Sequence, residues 1–429
     1  MVIKILRIIG NLKFAITLLI TIAIIIALGS IIEQDKPTEF YQQIYSDTTP
    51  LFGFLTWKFI QFIGIDHLYR TFWFICILLL FATSLLTCTF LQQFPVLKFS
   101  RRCNFLQSKF FNIETFIKPE RLGKFLNKLL FEGYFVYQQK TNFYASKGLI
   151  GRVAPIFVHL SIIVILFGSI IGAICGFSVE ELIPKSEIFH SQNTVFSGPL
   201  SNFSQQPIRI NDFWINYYKD NKIKQFYSNI SILDEFGNEL ITKTISVNKP
   251  LIYKNFTFYQ TDWTFIGLRI ENENKYFQIP TRLSENFTNK LWLTWLPINN
   301  NIKKIQETKL AGKTLLINNY KEIIFSFNLK GKLEKDIDLY EFLVEKNYKI
   351  CDLIVSTGLQ IKSDPGAYFI YIGFGGLILS TFLSYISFSQ IWGATNILKI
   401  KKEFVIFSKT NRDKSSLNLE LLKLIQNFN

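Results

Sequence analysis

Four apolar stretches, residues 14–32, 72–91, 154–177 and 367–388, interrupt an otherwise mixed chain. Each supplies the roughly 20 helical residues that a bilayer core requires, so the pattern predicts four transmembrane helices. The first contains "ALGS", which resembles a signal-peptide cleavage site. Its apolar run is longer than the ~7–15 residues of a signal h-region, so it reads as a retained span.

Between the spans the hydrophobic period changes. In 33–71, Pro37 stops the first helix, and "GFLTWKFIQFIG" predicts an interfacial amphipathic helix with Trp57 near the headgroups. In 92–153, "PERLGKFLNKLLFEG" predicts a helix with Leu122, Phe125, Leu129 and Leu130 on one side, ending at Gly133. There "YFVYQQ", "KTN" and "FYASKG" read as a β-hairpin, which makes a small αβ module. Segment 178–366 alternates with period two. "FYSNISILDEFGNELITKTISV" turns back at Gly237-Asn238, and "RINDFWINYY", "PLIYKNFTFYQTDW" and "KTLLINNYKEIIFSFNLKG" repeat the pattern. A β-sandwich or curved sheet is expected. It closes at "SDPGAY", with Asp364 placed to cap and Pro365 to start the last helix. Trp292 and Trp295 in "LWLTWLP" read as one aromatic strand face, packed in a core, resting on the bilayer or stacked on a flat ligand.

Charge gives these segments sides. The net charge is +15, but it is not the even basic coat of a nucleic-acid binder. Residues 1–13 carry three basic and no acidic groups; 33–71 carry three and five; 92–153 carry eleven and three. Segment 178–366 carries 23 and 21, and the stretch after 388 carries seven and three. Basic and near-neutral segments alternate across the four spans, as the positive-inside rule expects. Both termini and 92–153 are therefore assigned to the cytoplasmic or stromal side, and 33–71 and 178–366 to the translocated side. The fold class is integral membrane α-helical, with a large β-rich translocated domain and a small αβ stromal or cytoplasmic module. The domain plan runs 1–91 (two spans and their loop), 92–153 (basic module), 154–177 (third span), 178–366 (β-rich), 367–388 (fourth span) and 389–429 (basic tail).

The five cysteines (Cys76, Cys88, Cys103, Cys175, Cys351) form no Cys-x-x-Cys pair. Only Cys351 falls in 178–366, so no disulfide can close within that segment. The sequons at Asn202, Asn229, Asn255 and Asn286 are expected by chance in an Asn-rich chain. Ile, Phe, Asn, Lys and Tyr abound while Met occurs once, a bias of A/T-rich coding.

The third span carries the one histidine set into an apolar stretch. His159 follows Arg152 by seven residues, so about 10 Å of helix separates it from the basic edge. Ile156, Ile163, Leu166 and Ile170 share its face. Gly168, Gly172 and Gly176 repeat every four residues as a small-residue packing seam, and Gly168 falls about half a turn away from His159. A neutral imidazole in an apolar wall suits an axial haem-iron ligand; it equally suits a hydrogen bond to a neighbouring helix. The spans offer no clearly paired second ligand, so the opposite ligand of any bound haem would belong to another protein. His67 and His190 read as ordinary surface histidines near the membrane on the translocated side.

These motifs, in order, resemble the CcsB/ResB family of System II cytochrome c biogenesis in its plastid form. "ALGSIIEQDKPTEFY", "GIDHLYRTFWFICILLL" and "SLLTCTF" resemble its first two spans and their loop. "GRVAPIFVHLSIIVILFGSIIGA" is similar to its histidine-bearing span. "NKPLIYKNFTFYQTDW" and "DPGAYFIYIGFGGLILSTFLSYISFSQIW" resemble its translocated signature and last span. Val153 departs from the aromatic residue often found after the Gly-Arg pair. The resemblance implies a non-enzymatic subunit that works with a CcsA-type haem-handling membrane protein. Together they would carry haem across the membrane and present it to the Cys-x-x-Cys-His site of apocytochrome c, with a thioredoxin-like thiol reductant as a further partner. It also implies that His159 is a haem ligand, that the haem is bound transiently, and that the location is the plastid thylakoid, with stromal termini and the large domain lumenal.

Two other classes stay open on the residues alone. A b-type membrane cytochrome needs paired histidines on facing helices. A four-pass receptor with an external solute-binding β-domain would show charged or broken helices in mid-membrane.

Overall fold

The computed structural model describes residues 2–48, 50–95, 113–117, 119–139, 142–201, 206–218, 223–272, 275–284, 291–297, 312–318, 323–328, 330–338, 342–343, 348–395 and 404–426. Cys103, Asn202 and Asn286 lie outside them. The chain forms two units, Met1–Ala173 with Gly366–Asn429, and Ile174–Pro365.

The first unit holds the helices. They are α1 (Val2–Ile9), α2 (Leu12–Ile31), α3 (Thr38–Ile44), α4 (Trp57–Ile63), α5 (Phe72–Cys88), α6 (Leu122–Phe131), α7 (Ile150–Cys175), α8 (Ala367–Ser384) and α9 (Lys414–Gln426). Four of them, α2, α5 with its continuation to Gln93, α7 and α8, are long and apolar enough to cross a membrane. Asn11 caps α2, its side-chain oxygen accepting from the Lys13 N–H at 3.0 Å. Ile22 of α2 packs with Phe74, Leu78, Phe81 and Leu85 of α5, and Ile162, Ile163 and Leu166 of α7 close over them. Trp57 and Ile60 of α4 join Ile32, Tyr41 and Tyr45 in a separate small core, so the 33–71 connection is a folded cap. Gln34 fastens this cap. Its amide donates to the carbonyls of Gly29, Ile32 and Ile65, and its oxygen accepts from the Leu68 N–H.

Several boundaries differ from the sequence reading. The third helix starts at Ile150, not 154, and ends at Cys175. Phe177 begins the strand Phe177–Pro184 and is buried in the β-rich unit, so Gly176 stands beyond the helix and outside the glycine seam. Strand pairing of Phe177 with Ser197 takes the chain out of helical geometry there. The fourth helix ends at Ser384, because residues 386–387 run as close-packed backbone. A Cβ on Gly151 would lie 1.8 Å from the Ile386 carbonyl oxygen, and one on Gly148 would lie 2.2 Å from that of Ser387. Asp364 does not cap α8; the N-cap position is Gly366, without a side-chain bond.

The stretch after 388 is no tail. Strands Ser389–Thr395 and Phe404–Thr410 enter the same antiparallel sheet as Ile113–Ile117, Asn142–Lys147 and Phe135–Gln139. The order is 113–117, 404–410, 389–395, 142–147, 135–139. Helices α6 and α9 cover one face, burying Phe125, Leu129, Phe143, Ile391, Ile406, Leu417 and Leu421. The sequence reading divided this module into 92–153 and 389–429 because its halves are about 240 residues apart. Only long-range strand pairing joins them.

The second unit is β-rich. A seven-stranded sheet is built around the long strands Phe256–Asn272 and Tyr348–Ser363, which pair antiparallel along their length with three bulges. Bulges let so long a pair coil. A four-stranded sheet that includes Ile208–Tyr217 and Ile223–Leu233 shares one core with it (Val179, Ile210, Ile230, Ile232, Leu359). A five-stranded sheet with Leu291–Pro297 and Gly312–Asn318 shares another (Phe265, Leu268, Trp292, Leu315, Ile350). The hairpin turn forms at Gly237 (φ +86°), where the Asp234 carboxylate accepts from the Phe236 and Asn238 N–H groups. Trp292 and Trp295 lie on opposite faces, since an offset of three residues reverses the side. Trp292 is buried and donates to Thr264 Oγ1 at 2.9 Å; Trp295 is exposed against Gly312.

Candidate functional site

His159 lies on α7, four residues past Pro155, and meets the end of α5. There α5 loosens from α-helix into a π turn, Thr89–Gln93. Such turns shift the side-chain register by one residue and recur at functional sites. This one ties three helices together. Gln92 donates to the Gly10 carbonyl at the α1–α2 junction (2.7 Å), while Thr89 and Gln93 both reach His159. A further bond, from Ser84 Oγ to the Ile9 carbonyl at 2.7 Å, fixes the same junction.

The Thr89 bonds favour one tautomer, with the Gln93 amide nitrogen 3.2 Å from His159 Nε2 and 3.4 Å from Nδ1. Thr89 Oγ1 donates its single hydrogen to the Leu85 carbonyl at 2.8 Å and stands 2.9 Å from His159 Nδ1. With that hydrogen committed, the hydroxyl accepts and Nδ1 donates. Nε2 is then the lone-pair nitrogen. It accepts from the Gln93 amide at 3.2 Å; the Gln93 Oε1 is buried with no partner among the described residues. An imidazole that donates through Nδ1 and keeps its Nε2 lone pair as an acceptor is the arrangement of a metal-ligating histidine. It also realises the hydrogen-bonded alternative, and the two meet in one geometry.

The donor set fits a haem iron as one axial ligand only. Among the described residues no group of three or more His, Cys, Asp or Glu is placed to hold a metal ion. Cys88 is buried, and Cys76, Cys175 and Cys351 are free thiols as well. His67 is exposed on the 33–71 cap, its Nδ1 2.9 Å from Asp66 Oδ1, and His190 is an exposed residue of the β-rich unit. Neither belongs to the His159 group.

On another side of α7, Gly168 is buried against α8. A Cβ there would lie 2.8 Å from the Gly366 carbonyl oxygen, and one on Gly366 would lie 2.7 Å from the Gly172 nitrogen. Gly373 and Gly376 of α8 continue the contact against Ser161 and Ile165. Small residues let two backbones approach where lipid leaves no hydrophobic gain from helix association. Sequence reasoning missed Thr89, Gln92 and Gln93. Their signal was three polar side chains in "TFLQQ" at the basic end of an apolar helix.

Comparison with known proteins adds the following. A family model described as ResB-like matches residues 12–302. The chain is similar to the cytochrome c biogenesis protein Ccs1 of Heterosigma akashiwo (strain CCMP452 / OLISTH), 53% identical over 426 residues, 99% of each chain. It is similar to Ccs1 of Thalassiosira pseudonana, 44% identical over 97% of this chain and 98% of that protein. It is also similar to the cytochrome c biogenesis protein CcsB of Crocosphaera subtropica (strain ATCC 51142 / BH68), 40% identical over 99% of this chain and 94% of that protein.

Proposed function

The chain belongs to the ResB-like family and acts in the maturation of c-type cytochromes; from that premise we propose that it is a membrane-spanning accessory subunit that passes haem to apocytochrome c. In this reading α2, α5, α7 and α8 cross the plastid thylakoid membrane. The basic αβ module and both termini are stromal, and the 33–71 cap and the β-rich unit are lumenal. The alternation of basic and near-neutral segments supports this topology, and the algal relatives support the plastid.

One observation carries the haem assignment: His159 is held through Nδ1 by Thr89, leaving Nε2 as the lone-pair nitrogen. Haem is cargo, needing a ligand that holds iron without competing for it permanently. A single imidazole does so, and a CcsA-type partner would supply the opposite ligand. The Gln93 amide stands 3.2 Å from Nε2 and would have to give way for that nitrogen to hold iron. Apocytochrome c, with a thioredoxin-like reductant keeping its thiols reduced, would meet the haem on the lumenal side, where the β-rich unit offers the larger surface. A b-type cytochrome carrying electrons across the bilayer needs further intramembrane histidines, and α2, α5 and α8 contain none. The test is the visible spectrum of the complex purified through this chain, with and without His159→Ala. The Soret band is expected to collapse in the variant; an unchanged band removes the ligand role.

A further inference from the structure

Resting on the haem reading of His159, we infer that Arg152 is the anchor for a haem propionate, so that haem is held at two points along one face of α7. Arg152 and His159 are seven residues apart on one helix (Ile150–Cys175), with Pro155 between them. At 100° per residue the two side chains are within about 20° of the same face, and the rise between them is about 10 Å. That is the scale of the reach from the centre of a porphyrin to its propionate carboxylates. Iron at one end and a carboxylate at the other would set the porphyrin along the helix, propionates toward the basic edge.

The state of Arg152 supports the assignment independently. Its Nε is buried and finds no hydrogen-bond acceptor among the described residues. Its guanidinium carbon stands 5.7 Å from the ring centroid of Phe388, which is itself buried. That stacking is made possible by the close passage of residues 386–387 over Gly148 and Gly151. Phe388 holds the guanidinium by its face, which leaves its N–H groups to be met in plane. A buried Nε–H without an acceptor is costly, and a carboxylate is a partner that the guanidinium geometry matches. The basic segment beside it adds attraction for a dianionic ligand: eleven basic against three acidic residues in 92–153.

The test compares haem with haem dimethyl ester, in which both carboxylates are masked, on the detergent-solubilised complex purified through this chain. Wild type is expected to bind haem about tenfold more tightly than the ester, the size of one charge-assisted hydrogen-bonded pair. Arg152→Gln should bring the ratio near one, and Arg152→Lys should keep part of it, while both retain the Soret position set by His159. A wild-type ratio near one overturns the proposal without any variant and leaves Arg152 to lipid headgroups. A ratio unchanged in Arg152→Gln overturns it too, and leaves the haem reading standing if His159→Ala still loses its Soret band. Should His159→Ala keep that band, the haem reading falls and takes the anchor with it.

Discussion

Thr89 Oγ1 and His159 Nδ1 stand 2.9 Å apart between α5 and α7, and the same hydroxyl donates to the Leu85 carbonyl. Within one helix Thr89 only satisfies its own backbone. Across two helices it favours a proton on the imidazole Nδ1.

Thr89→Val keeps the shape and removes the acceptor. Nδ1–H then loses its partner, and the ring is free to rotate or change tautomer. On the proposed haem role of His159, haem affinity of the purified complex should fall about 10- to 100-fold, the usual cost of losing a group that orients a metal ligand. Thr89→Ser should recover most of it. Titration followed in the Soret region checks this, and wild-type affinity in Thr89→Val would show that the orientation is set elsewhere.

Gly366→Val tests the contact between α7 and α8. The first added carbon would lie 2.0 Å from the Gly168 carbonyl oxygen, a backbone atom that cannot yield without moving the helix. A loss of about 1–3 kcal/mol is expected from overpacking of this kind. Thermal melting in a fixed detergent reports it, and an equal midpoint would mean that the helices part at no cost.

Tyr134 gives the αβ module an alkaline limit. Its hydroxyl donates to Glu420 at 3.1 Å, and Lys147 pairs with the other oxygen of that carboxylate at 2.9 Å. Burial, and then the Glu420 charge, push the phenol above its free value of 10.0. As pH rises past about 10, the unfolded chain gives up this proton before the folded one, so stability present below that pH is lost above it. The module's melting transition in the full-length protein should fall from pH 10 upward. Tyr134→Phe should flatten that part of the profile; an identical slope in the variant would assign it to other groups.

How much of this was legible beforehand can be read from individual residues. The four spans were visible because about 20 apolar residues in a row have one explanation in water and lipid. The turn at Gly237 was visible because few residues accept φ +86°. His159 stood out because an imidazole is costly in an apolar stretch. By contrast, "TFLQQ" gave no sign of a π turn, since the extra residue per turn depends on what α5 packs against. The Trp292 and Trp295 pair was misread as a single face, although the strand period alone separates them.

Sequence by itself determined which segments are apolar, which are basic, and that a lone histidine sits in the third span about 10 Å from its basic edge. Those are properties of each segment's own side chains in their solvent. Only the tertiary structure decided that Thr89 and Gln93 meet His159, that Gly168 receives Gly366, and that 389–395 and 404–410 complete a sheet begun at 113–117. Each joins residues tens to hundreds of positions apart. No local pattern encodes such a pairing; it is selected by which close-packed, hydrogen-bonded arrangement of the whole chain has the lowest free energy.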